Sequence, residues 1–500
     1  MAAGSLYEKV LAQIEGRGGL PDAKPARSSA SVVLWRRGGS DLEVFWIKRA
    51  RTMRFMGGFH AFPGGGLSRQ DRSQAPAGLP LGYEDGPAEA AMPAAVTEGV
   101  GDLGPVLCDG LVECALRELQ EETGVALSPA TDAARLVYAG RWLTPPLGPL
   151  RFDNRFFLLE WPPEEAQQPR VASREAEIGE WVRPGEALAR WRSGDVVTAP
   201  PILHILRVLS EEGPEQGLSR MRNPTEANLG PHRRVEFRPG VLLFPQKTPT
   251  LPPASYTNCY VLGTQQTVLV DPGSPYEEEI DRLFQALEAL RSNEGRRVGA
   301  IWLTHHHPDH VGGIQELRQR LGVPVCAHRS TAERLADRGI PVDEELAEGQ
   351  EVVLGGGFPV RVLHTPGHAQ GHLCFLDRTH GSMLVGDLIA GFGTIVIDPP
   401  EGNMGDYLGS LKRIQELAPA ALFPAHGPAT VDAVAKLDEY VQHRLWREGR
   451  ILEAWQSGVR QPAAMLESVY DDVPAIAHPL AERQIVAHLE HLTASGKLEK

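Results

Sequence analysis

The C-terminal half of this chain contains the run Thr304-His305-His306-His307-Pro308-Asp309-His310, which is its most informative pattern. The run gathers four side chains of the metal-ligand type, His305, His307, Asp309 and His310. Neutral imidazole nitrogens and a carboxylate are ligands that a divalent, zinc-like ion takes. An apolar segment of strand length precedes the run, and a Gly-Gly pair follows it. The pattern therefore predicts a metal-binding loop at the end of a buried strand, where a rigid scaffold presents the ligands.

Three more residues of the ligand type follow, each after an apolar run and beside a glycine: His368, Asp387 and His426. A glycine lets the backbone approach an ion closely. A solvated histidine cluster is the ordinary alternative for the first run, but these later residues argue against it. Seven ligands suit two metal ions, and an aspartate between two ions can bridge them.

The pattern THxHxDH, followed by an isolated His, Asp and His, resembles the metallo-β-lactamase superfamily from about Arg233 to the C-terminus. This resemblance implies an αββα sandwich and two zinc ions, with iron or manganese as alternative metals. The implied ligand set is one ion on His305, His307 and His368, a second on Asp309, His310 and His426, and Asp387 between them. Asp309 also counts as a catalytic residue. Asp387 favours the glyoxalase II-like hydrolases over lactam-cleaving enzymes, and Asp271 matches a position that supports the metal site.

Length and composition limit the class of protein. Five hundred residues exceed a single core, so we expect two or three domains in an α/β and α+β multidomain chain. Hydrophobic residues make up 42% and charged residues 23%, which is ordinary for globular proteins. No apolar run approaches the ~20 residues that a membrane span needs. The first residues lack the basic head and apolar core of a signal peptide, so we expect a cytoplasmic location.

Charge and cysteine content limit the kinds of partner and the compartment that we expect. A net charge of −14 disfavours non-specific binding to nucleic acid or anionic membranes and leaves small molecules as the expected substrates. The five cysteines are scattered without a CxxC pair, which indicates a reducing compartment without a disulfide framework. The composition does not predict the oligomeric state.

A second cluster of chemistry lies in the N-terminal half, in the segment LRELQEETGV from Leu116 to Val125. Glu118, Glu121 and Glu122 stand at helical positions i, i+3 and i+4, so they share one face. Like charges at this spacing repel unless a cation lies among them. Mg²⁺ or Mn²⁺ with a diphosphate is one answer, because these ions prefer carboxylate and phosphate oxygens. A solvated acidic face is the other.

Arginines and glycines precede this helix. Arg49 and Arg54 come just before a glycine-rich turn and form a plausible phosphate-binding edge. Solvated arginines are the alternative for the pair.

The segment Arg117–Val125 (RELQEETGV) fits the second half of the Nudix box, REUxEExGU with U aliphatic. Gly65 and Asp71 meet the first half, although Glu is usual where Asp71 stands, and some 38 extra residues separate the two halves. An interrupted box of this kind resembles the peroxisomal coenzyme A diphosphatase branch of the Nudix family. The resemblance spans about Ser31 to Val208.

The Nudix resemblance implies an α/β/α sandwich and a role for each motif residue. Glu118, Glu121 and Glu122 would hold Mg²⁺ or Mn²⁺ for catalysis, and Arg117 would orient one of them. The segment from Arg49 to Gly65 resembles the coenzyme A-recognition motif, with Ala50 where Ser is usual. The substrate-binding residues that the motif implies are Arg49, Arg54, Gly58 and Arg117. A further carboxylate is expected from Glu175, Glu177 or Glu180, and the sequence does not separate these three.

The expected domains are a Nudix domain at 28–210 with an insertion at about 72–110, a linker at 211–231, a metallo-β-lactamase-fold domain at 232–435 and a winged-helix-like domain at 436–500. The linker is predicted from chain-breaking residues without an apolar period. The tail resembles the small winged-helix appendage of the β-lactamase-like protein 2 group. Residues 440–500 hold seven Lys or Arg and eight Asp or Glu, which favours a packing element over a nucleic-acid binder.

The two resemblances together imply a bifunctional metal-dependent hydrolase. The N-terminal half would split a nucleoside-diphosphate derivative such as coenzyme A or acyl-CoA. The C-terminal half would use two metals to cleave a thioester or an ester. The alternative is an RNA-processing enzyme, with an endoribonuclease half of the metallo-β-lactamase fold and a Nudix half that only recognises nucleotides.

Overall fold

A computed structural model describes residues 25–38, 41–53, 55–74, 110–147, 150–252 and 254–498. The sequence also predicts a short helix within residues 1–27 and a turn at residues 37–40. These two predictions, the phosphate-binding role of Arg54 and the insertion at about 72–110 lie wholly or partly outside the described residues. The described residues form two compact units. The N-terminal unit runs to Pro245 and includes Asp281–Gly295; the C-terminal unit consists of Gln246–Ile280 and the residues from Arg296 onward.

Residues 27–247 form, in chain order, β1 (Arg27–Gly38), β2 (Asp41–Arg49), β3 (His60–Ala61), β4 (Gly64–Gly66), α1 (Arg69–Gln74), α2 (Leu111–Thr123), α3 (Pro129–Asp132), β5 (Val137–Leu143), β6 (Phe152–Glu160), β7 (Ala176–Val182), α4 (Pro184–Arg192), α5 (Pro200–Glu211), α6 (Gly213–Gln216), α7 (Leu218–Arg222), β8 (Asn228–Leu229), β9 (His232–Arg233), β10 (Glu236–Arg238) and β11 (Val241–Lys247). Apolar patterns in the sequence predict strands at residues 31–35, 42–48 and 151–158 and a helix at residues 200–209. The structure confirms them as β1, β2, β6 and α5.

A mixed sheet forms the centre of the N-terminal unit. Its order is β3-β2-β1-β6-β5, with β4 on β1 and β7 on β2. Strands β1 and β6 run parallel, whereas β2 and β5 are antiparallel to their neighbours. Helix α2 lies close to β1 and β4, which places its carboxylates beside the glycines of β4.

Side chains of β1 alternate between two cores, as the period of a strand requires. Val32 and Leu34 pack in one core with Leu119 of α2. Val33 packs in the other with Leu188 of α4, and α5 contributes to this core through Ile205. The sheet therefore lies between two helical layers.

The segment predicted as a linker carries local structure. Residues 213–222 form the short helices α6 and α7, and Met221 is fully buried. Arg220 holds the segment together through ion pairs with Glu211, Glu212 and Glu226. Helices of four or five residues are too short to show an apolar period, and ion pairs between charged residues leave no hydrophobic pattern in the sequence.

The remaining chain forms β12 (Tyr256–Leu262), β13 (Gln266–Val270), α8 (Glu277–Glu294), β14 (Arg297–Trp302), α9 (Pro308–Val311), α10 (Ile314–Leu321), β15 (Val325–Ala327), α11 (Arg329–Ala336), β16 (Glu344–Glu345), β17 (Glu351–Leu354), β18 (Phe358–His364), β19 (Leu373–Asp377), β20 (Ser382–Gly386), α12 (Met404–Leu417), β21 (Ala421–Pro424), α13 (Ala433–Gln456), α14 (Pro462–Val469) and α15 (His478–Ala494). The strands predicted before each candidate ligand are confirmed. The sequence of residues 432–455 also predicts a long helix, which the structure confirms as α13.

Two runs of strands organise the C-terminal unit. Strands β12 to β16 are neighbours in sequence order, with parallel pairs from β13 to β16. Strands β17 to β21 form a second sheet, antiparallel except for the pair β20–β21. The loops that leave β13, β14, β18, β20 and β21 carry the polar residues described below.

Helices α12, α13 and α15 pack beside the second sheet. Tyr407 of α12, Leu437 of α13 and Ala487 of α15 share one core with sheet residues such as Leu422. The end of the chain has a separate core, in which Ile451, Met465 and Ile485 are buried. Helix α15 therefore belongs to both cores.

None of the helices in the described part of the chain is long and apolar enough to cross a membrane. Cys114, Cys259, Cys326 and Cys374 are free thiols and buried, whereas Cys108 lies outside the described residues.

Candidate metal centres

The seven predicted ligands of the C-terminal unit lie in loops that follow strands. The run from His305 to His310 follows β14, His368 follows β18, Asp387 follows β20 and His426 follows β21. All seven are buried or nearly so. The fold thus brings together side chains that lie up to 121 positions apart in the sequence.

His305, His307 and His368 form the first trio. The Nε2 atom of His305 lies 2.9 Å from Nδ1 of His307 and 3.3 Å from Nε2 of His368. The Nδ1 atom of His307 lies 2.9 Å from Nε2 of His368. Three imidazole nitrogens that converge in this way would suit one divalent ion.

Asp309, His310 and His426 form the second trio. The Nε2 atom of His426 lies 3.4 Å from Oδ2 of Asp309, and Nε2 of His310 lies 4.0 Å from Oδ1 of Asp309. Ligand atoms of the three residues all lie within 4.8 Å of one another.

The carboxylate of Asp387 lies between the two trios. Its Oδ2 atom is 3.5 Å from Nε2 of His368 in the first trio. Its Oδ1 atom is 3.4 Å from Nε2 of His426 and 3.6 Å from Nε2 of His310 in the second. Each carboxylate oxygen therefore faces a different trio.

Two buried polar atoms of this cluster lack a hydrogen-bond partner within the described residues, Nε2 of His310 and Oδ1 of Asp387. Leaving a buried donor or acceptor unsatisfied costs about 1–3 kcal/mol. The two atoms lie 3.6 Å apart and are both of the kind that binds a metal. The set of imidazoles and carboxylates around them suits a divalent metal ion. The residues present therefore fit such an ion.

Residues around the cluster fix the orientation of the imidazoles. Thr304 donates its hydroxyl proton to Oδ2 of Asp271 at 2.6 Å, so its oxygen accepts from Nδ1 of His305 at 3.0 Å. The same carboxylate accepts from Nδ1 of His310 at 2.8 Å. Each of these bonds leaves Nε2 of the imidazole free to bind a metal. The expected supporting role of Asp271 agrees with these contacts.

Backbone carbonyls orient the other two histidines. Nδ1 of His368 donates to the carbonyl of Val396 at 2.7 Å, and Nδ1 of His426 donates to that of Tyr256 at 3.1 Å. The backbone N–H of Asp387 donates to Nε2 of the buried His372 at 3.0 Å. The sequence did not predict these three partners, because a carbonyl group leaves no side-chain signature and His372 follows no ligand motif.

Burial and neighbouring charges shift the pKa values of the histidines in the cluster. Burial, followed by the neighbouring histidines, lowers the pKa of His305 and His307 well below its usual value, which keeps both as neutral ligands. Burial also disfavours charge on His310, but the carboxylates around it raise its pKa well above its usual value. The carboxylates of Asp309, Asp271 and Asp387 therefore favour a positive charge in the second trio.

His306, the remaining histidine of the run, pairs with a carboxylate that no sequence motif predicts. Its Nε2 atom lies 2.8 Å from Oε1 of Glu401, which is also 3.9 Å from Nε2 of His307. Glu401 is 96 positions from His305, and no motif marks it. It lies next to the first trio.

The N-terminal unit contains an acidic cluster on α2, organised by Arg117. The guanidinium donates to both oxygens of Asp71 at 2.8 and 2.9 Å, to Glu118 at 2.8 Å and to Glu121 at 3.1 Å. Asp71 is buried, and its ion pair with Arg117 joins the two halves of the interrupted motif. Gly65 makes the approach possible, because a Cβ there would lie 2.2 Å from the carboxylate of Glu118.

The three glutamates of α2 lie in different surroundings. Glu122 is buried and accepts from the N–H of Gly64 at 2.8 Å, and burial raises its pKa to about 7. Burial also raises the pKa of Glu118. Glu121 is 57% exposed. Within the described residues, the close clusters of three ligand atoms all lie in the C-terminal unit.

A cavity of about 430 Å³ opens beside this cluster in the N-terminal unit. Its lining combines Arg49, Glu118 and Glu175 with many apolar side chains, among them Phe59, Trp142 and Ile202. Gly58 is buried in the turn before the cavity residue Phe59, with a backbone φ of 78°.

The surroundings of Glu175, Glu177 and Glu180 differ, and the sequence alone did not distinguish these three candidates. Glu175 lines the cavity, and the charge of Glu175 raises the pKa of both Glu118 and Glu122, although burial is the larger cause. Glu177 instead pairs with Lys48 at 2.9 Å. Glu180 accepts from Arg190 at 2.7 Å. Glu175 is therefore the one of the three that faces the acidic helix.

Comparisons with known proteins agree with the fold of the C-terminal unit. The family model of the metallo-beta-lactamase superfamily matches residues 252–426, and that of the beta-lactamase associated winged helix domain matches residues 462–500. The beta-lactamase-like protein 2 homolog of Drosophila melanogaster is 32% identical over 257 residues, which cover 48% of this chain and 84% of that protein.

Two further similarities complete the comparison. An atrochrysone carboxyl ACP thioesterase of Aspergillus chevalieri is 30% identical over 44% of this chain and 69% of its own length. The crystal structure of a NUDIX hydrolase from Alicyclobacillus acidocaldarius is 26% identical over 40% of this chain and 99% of its own, with a TM-score of 0.30.

The chain thus belongs to the metallo-beta-lactamase superfamily and carries that family's winged-helix domain. It is a hydrolase of this fold, and the fold implies a divalent metal.

Proposed function

We propose that the C-terminal unit is a binuclear metallohydrolase that cleaves a thioester or an ester. The observation that carries the proposal is the position of Asp387, whose two oxygens face different trios at 3.4 to 3.6 Å. The first trio would hold one ion, the second trio the other, and Asp387 would bridge them. Zinc is the proposed metal, with iron or manganese as alternatives.

A pair of divalent ions in such a site activates a water molecule and polarises a carbonyl oxygen. The residues of the chain hold this chemistry in place. Thr304 and Asp271 bind Nδ1 of His305 and His310 and leave their Nε2 atoms free to hold the ions, and the carbonyl of Val396 does the same for His368. The name of the Aspergillus relative, a thioesterase, supports a thioester as the bond that is cleaved.

A substrate panel tests this proposal with the full chain. An acyl thioester, a simple ester and a single-stranded RNA are incubated with the wild type, with His307→Ala and with the control His443→Ala, which lies outside both trios. We expect thioester or ester cleavage by the wild type and the control but not by His307→Ala. Cleavage of RNA alone would replace this proposal with the RNA-processing alternative.

We propose that the N-terminal unit, at about residues 28–210, is a Nudix diphosphatase that uses Mg²⁺ or Mn²⁺. The support comes from the ion pairs of Arg117 with Asp71 and Glu118, which join the two halves of the motif beside the cavity. Glu118, Glu122 and the exposed Glu121 would provide the carboxylates. Arg49 would bind phosphate, since it lines the same cavity as Glu118.

Coenzyme A or an acyl-CoA is the proposed substrate of the N-terminal unit. The segment around Arg49 and Gly58 supports it, and the apolar part of the cavity wall suits an acyl group, which gains about 0.8 kcal/mol per buried methylene. Ile202→Trp narrows the cavity and should therefore lower the rate on a long-chain acyl-CoA more than on free coenzyme A. A nucleoside-diphosphate sugar as the preferred substrate would retain the reaction class and reject coenzyme A.

The diphosphatase proposal is tested by Mg²⁺-dependent release of phosphopantetheine from coenzyme A. Glu121→Gln keeps the size of the side chain but removes a charge, and its exposure makes a loss of fold unexpected. We expect loss of cleavage, while Glu160→Gln, an exposed control outside the cavity, retains it. A wild type that leaves coenzyme A and other nucleoside diphosphates intact would exclude the activity.

A further inference from the structure

The loop at residues 395–401 lies next to the first trio and contacts two of its histidines. Its Val396 carbonyl accepts from Nδ1 of His368 at 2.7 Å. At the other end of the loop, Oε1 of Glu401 lies 2.8 Å from His306 and 3.9 Å from Nε2 of His307. The loop thus contacts one candidate ligand through its backbone and lies close to a second through its carboxylate.

Side chains from the C-terminal helices hold this loop on both sides of Val396. Arg444 of α13 donates to the carbonyl of Ile395. Gln484 of α15 donates to the carbonyl of Ile397 at 3.2 Å. Both side chains are almost completely buried, and Arg444 also donates to Gln484 at 3.0 Å.

Arg483 of α15 completes the support. Its Nε donates to Oδ1 of Asp398 at 2.5 Å, and its Nη2 donates to the carbonyl of Pro399. Consecutive residues of one helix, Arg483 and Gln484, therefore bind consecutive parts of the loop. Because α15 also packs through Ala487 and Ile485 into two cores, it forms a rigid base for these contacts.

We propose that Arg444, Arg483 and Gln484 are positioning residues for the metal of the first trio. They fix the carbonyl of Val396, this carbonyl fixes the tautomer and the orientation of His368, and the C-terminal helices thereby set the affinity of one metal ion. The second trio is held by Asp271 and Tyr256 instead, so its ion should not depend on these contacts. The inference rests on the proposed function, since it requires an ion on the first trio.

The test compares two arginines of the C-terminal helices that have the same kind of partners. Arg483 binds an aspartate and a carbonyl of the loop, whereas Arg450 binds Asp471 at 2.8 Å and the carbonyl of Ser468, away from it. Both side chains are partly exposed, so Arg483→Ala and Arg450→Ala should fold, which circular dichroism checks. Zinc retention by the full-length protein is titrated with a chelator.

Loss of a residue that hydrogen-bonds to a metal ligand typically changes the metal affinity 10–100-fold. Arg483 acts through one further contact, so we expect a change of about tenfold in the metal affinity. Arg483→Ala should release one zinc equivalent at about tenfold lower chelator than the wild type, and the second equivalent at the same chelator concentration. Arg450→Ala should match the wild type, and Arg483→Lys should lie between them.

Two results would overturn the inference alone: release of both equivalents from Arg483→Ala at the wild-type chelator concentration, or a parallel shift of both equivalents. The first shows that the contact does not reach the metal, and the second shows a general loosening of the fold. A wild type that retains no transition metal after zinc-supplemented expression would overturn the proposed function and this inference together.

Discussion

At the scale of single residues, Asp271 connects several ligands through one carboxylate. It accepts from the N–H and the hydroxyl of Thr304 and from Nδ1 of His310. Its backbone lies in the left-handed region, with φ at 51°, a conformation that an aspartate adopts more readily than a branched residue. The backbone strain is held in place by three hydrogen bonds that all serve the metal site.

Replacing Asp271 by Asn tests this arrangement. Asn also tolerates positive φ, so the fold should persist, but its amide offers one acceptor oxygen where the carboxylate offers two. We expect a loss of metal affinity of about 10–100-fold, measured by chelator titration. Asp343→Asn, far from both trios, is the control, and an unchanged affinity in Asp271→Asn would contradict the role of Asp271.

His60 predicts a pH dependence of stability in the N-terminal unit. Burial, followed by the charge of Lys48, lowers its pKa to about 4. The unfolded chain takes up a proton near pH 6.5 and the folded chain only near pH 4, so stability falls as the pH falls between these values. From pH 7 to pH 5 this amounts to about 2 kcal/mol.

The variant His60→Phe removes this titration and keeps the ring contact with Trp46. We expect the wild type to lose about 2 kcal/mol more unfolding free energy than the variant between pH 7 and pH 5, measured by chemical denaturation. Equal losses in the two proteins would show that His60 is not held neutral by the fold.

At the scale of elements, close backbone contacts hold the loops that carry the ligands. A Cβ on Gly273 would lie 1.8 Å from the carbonyl oxygen of Asp309, so the loop after β13 touches the backbone of the metal-binding run. Gly273→Ala should therefore displace Asp309 and His310 and lower the metal content by about one equivalent, because these residues belong to the second trio.

Gly409 provides the matched control for this substitution. It lies in α12 with no atom within 4 Å of an added Cβ, so Gly409→Ala should stabilise the helix by roughly 0.5–1 kcal/mol. Elemental analysis of both variants checks the prediction. Full metal content in Gly273→Ala would show that the loop can shift without moving the ligands.

The sequence predicted elements with a clear period and missed those without one. Strand β14 and helix α13 follow from apolar patterns, and the ligand motif predicted the residues of both trios. The partners of these residues did not follow, because Val396 and Tyr256 act through carbonyls and Glu401 lies in a loop without a motif. The short helices at 213–222 were missed because ion pairs of Arg220, rather than an apolar face, stabilise them.

At the scale of the whole molecule, the proposed function gives the two units different metals. The C-terminal unit gathers imidazoles and carboxylates, which suit zinc-like ions, and the N-terminal unit gathers carboxylates, which suit Mg²⁺ or Mn²⁺. In this proposal an acyl-CoA would offer a bond to each site, a thioester to the C-terminal site and a diphosphate to the N-terminal site. Water hydrolyses the thioester to an acid and a thiol, and it splits the diphosphate into phosphopantetheine and adenosine bisphosphate.

One acyl-CoA incubated with the wild type, with Glu121→Gln and with His307→Ala shows which unit cleaves which bond. The wild type should give free acid and phosphopantetheine. Glu121→Gln should stop at free coenzyme A, and His307→Ala should give acyl-phosphopantetheine. Release of acid by His307→Ala as fast as by the wild type would contradict the account, because the C-terminal metal centre would then not be the thioesterase.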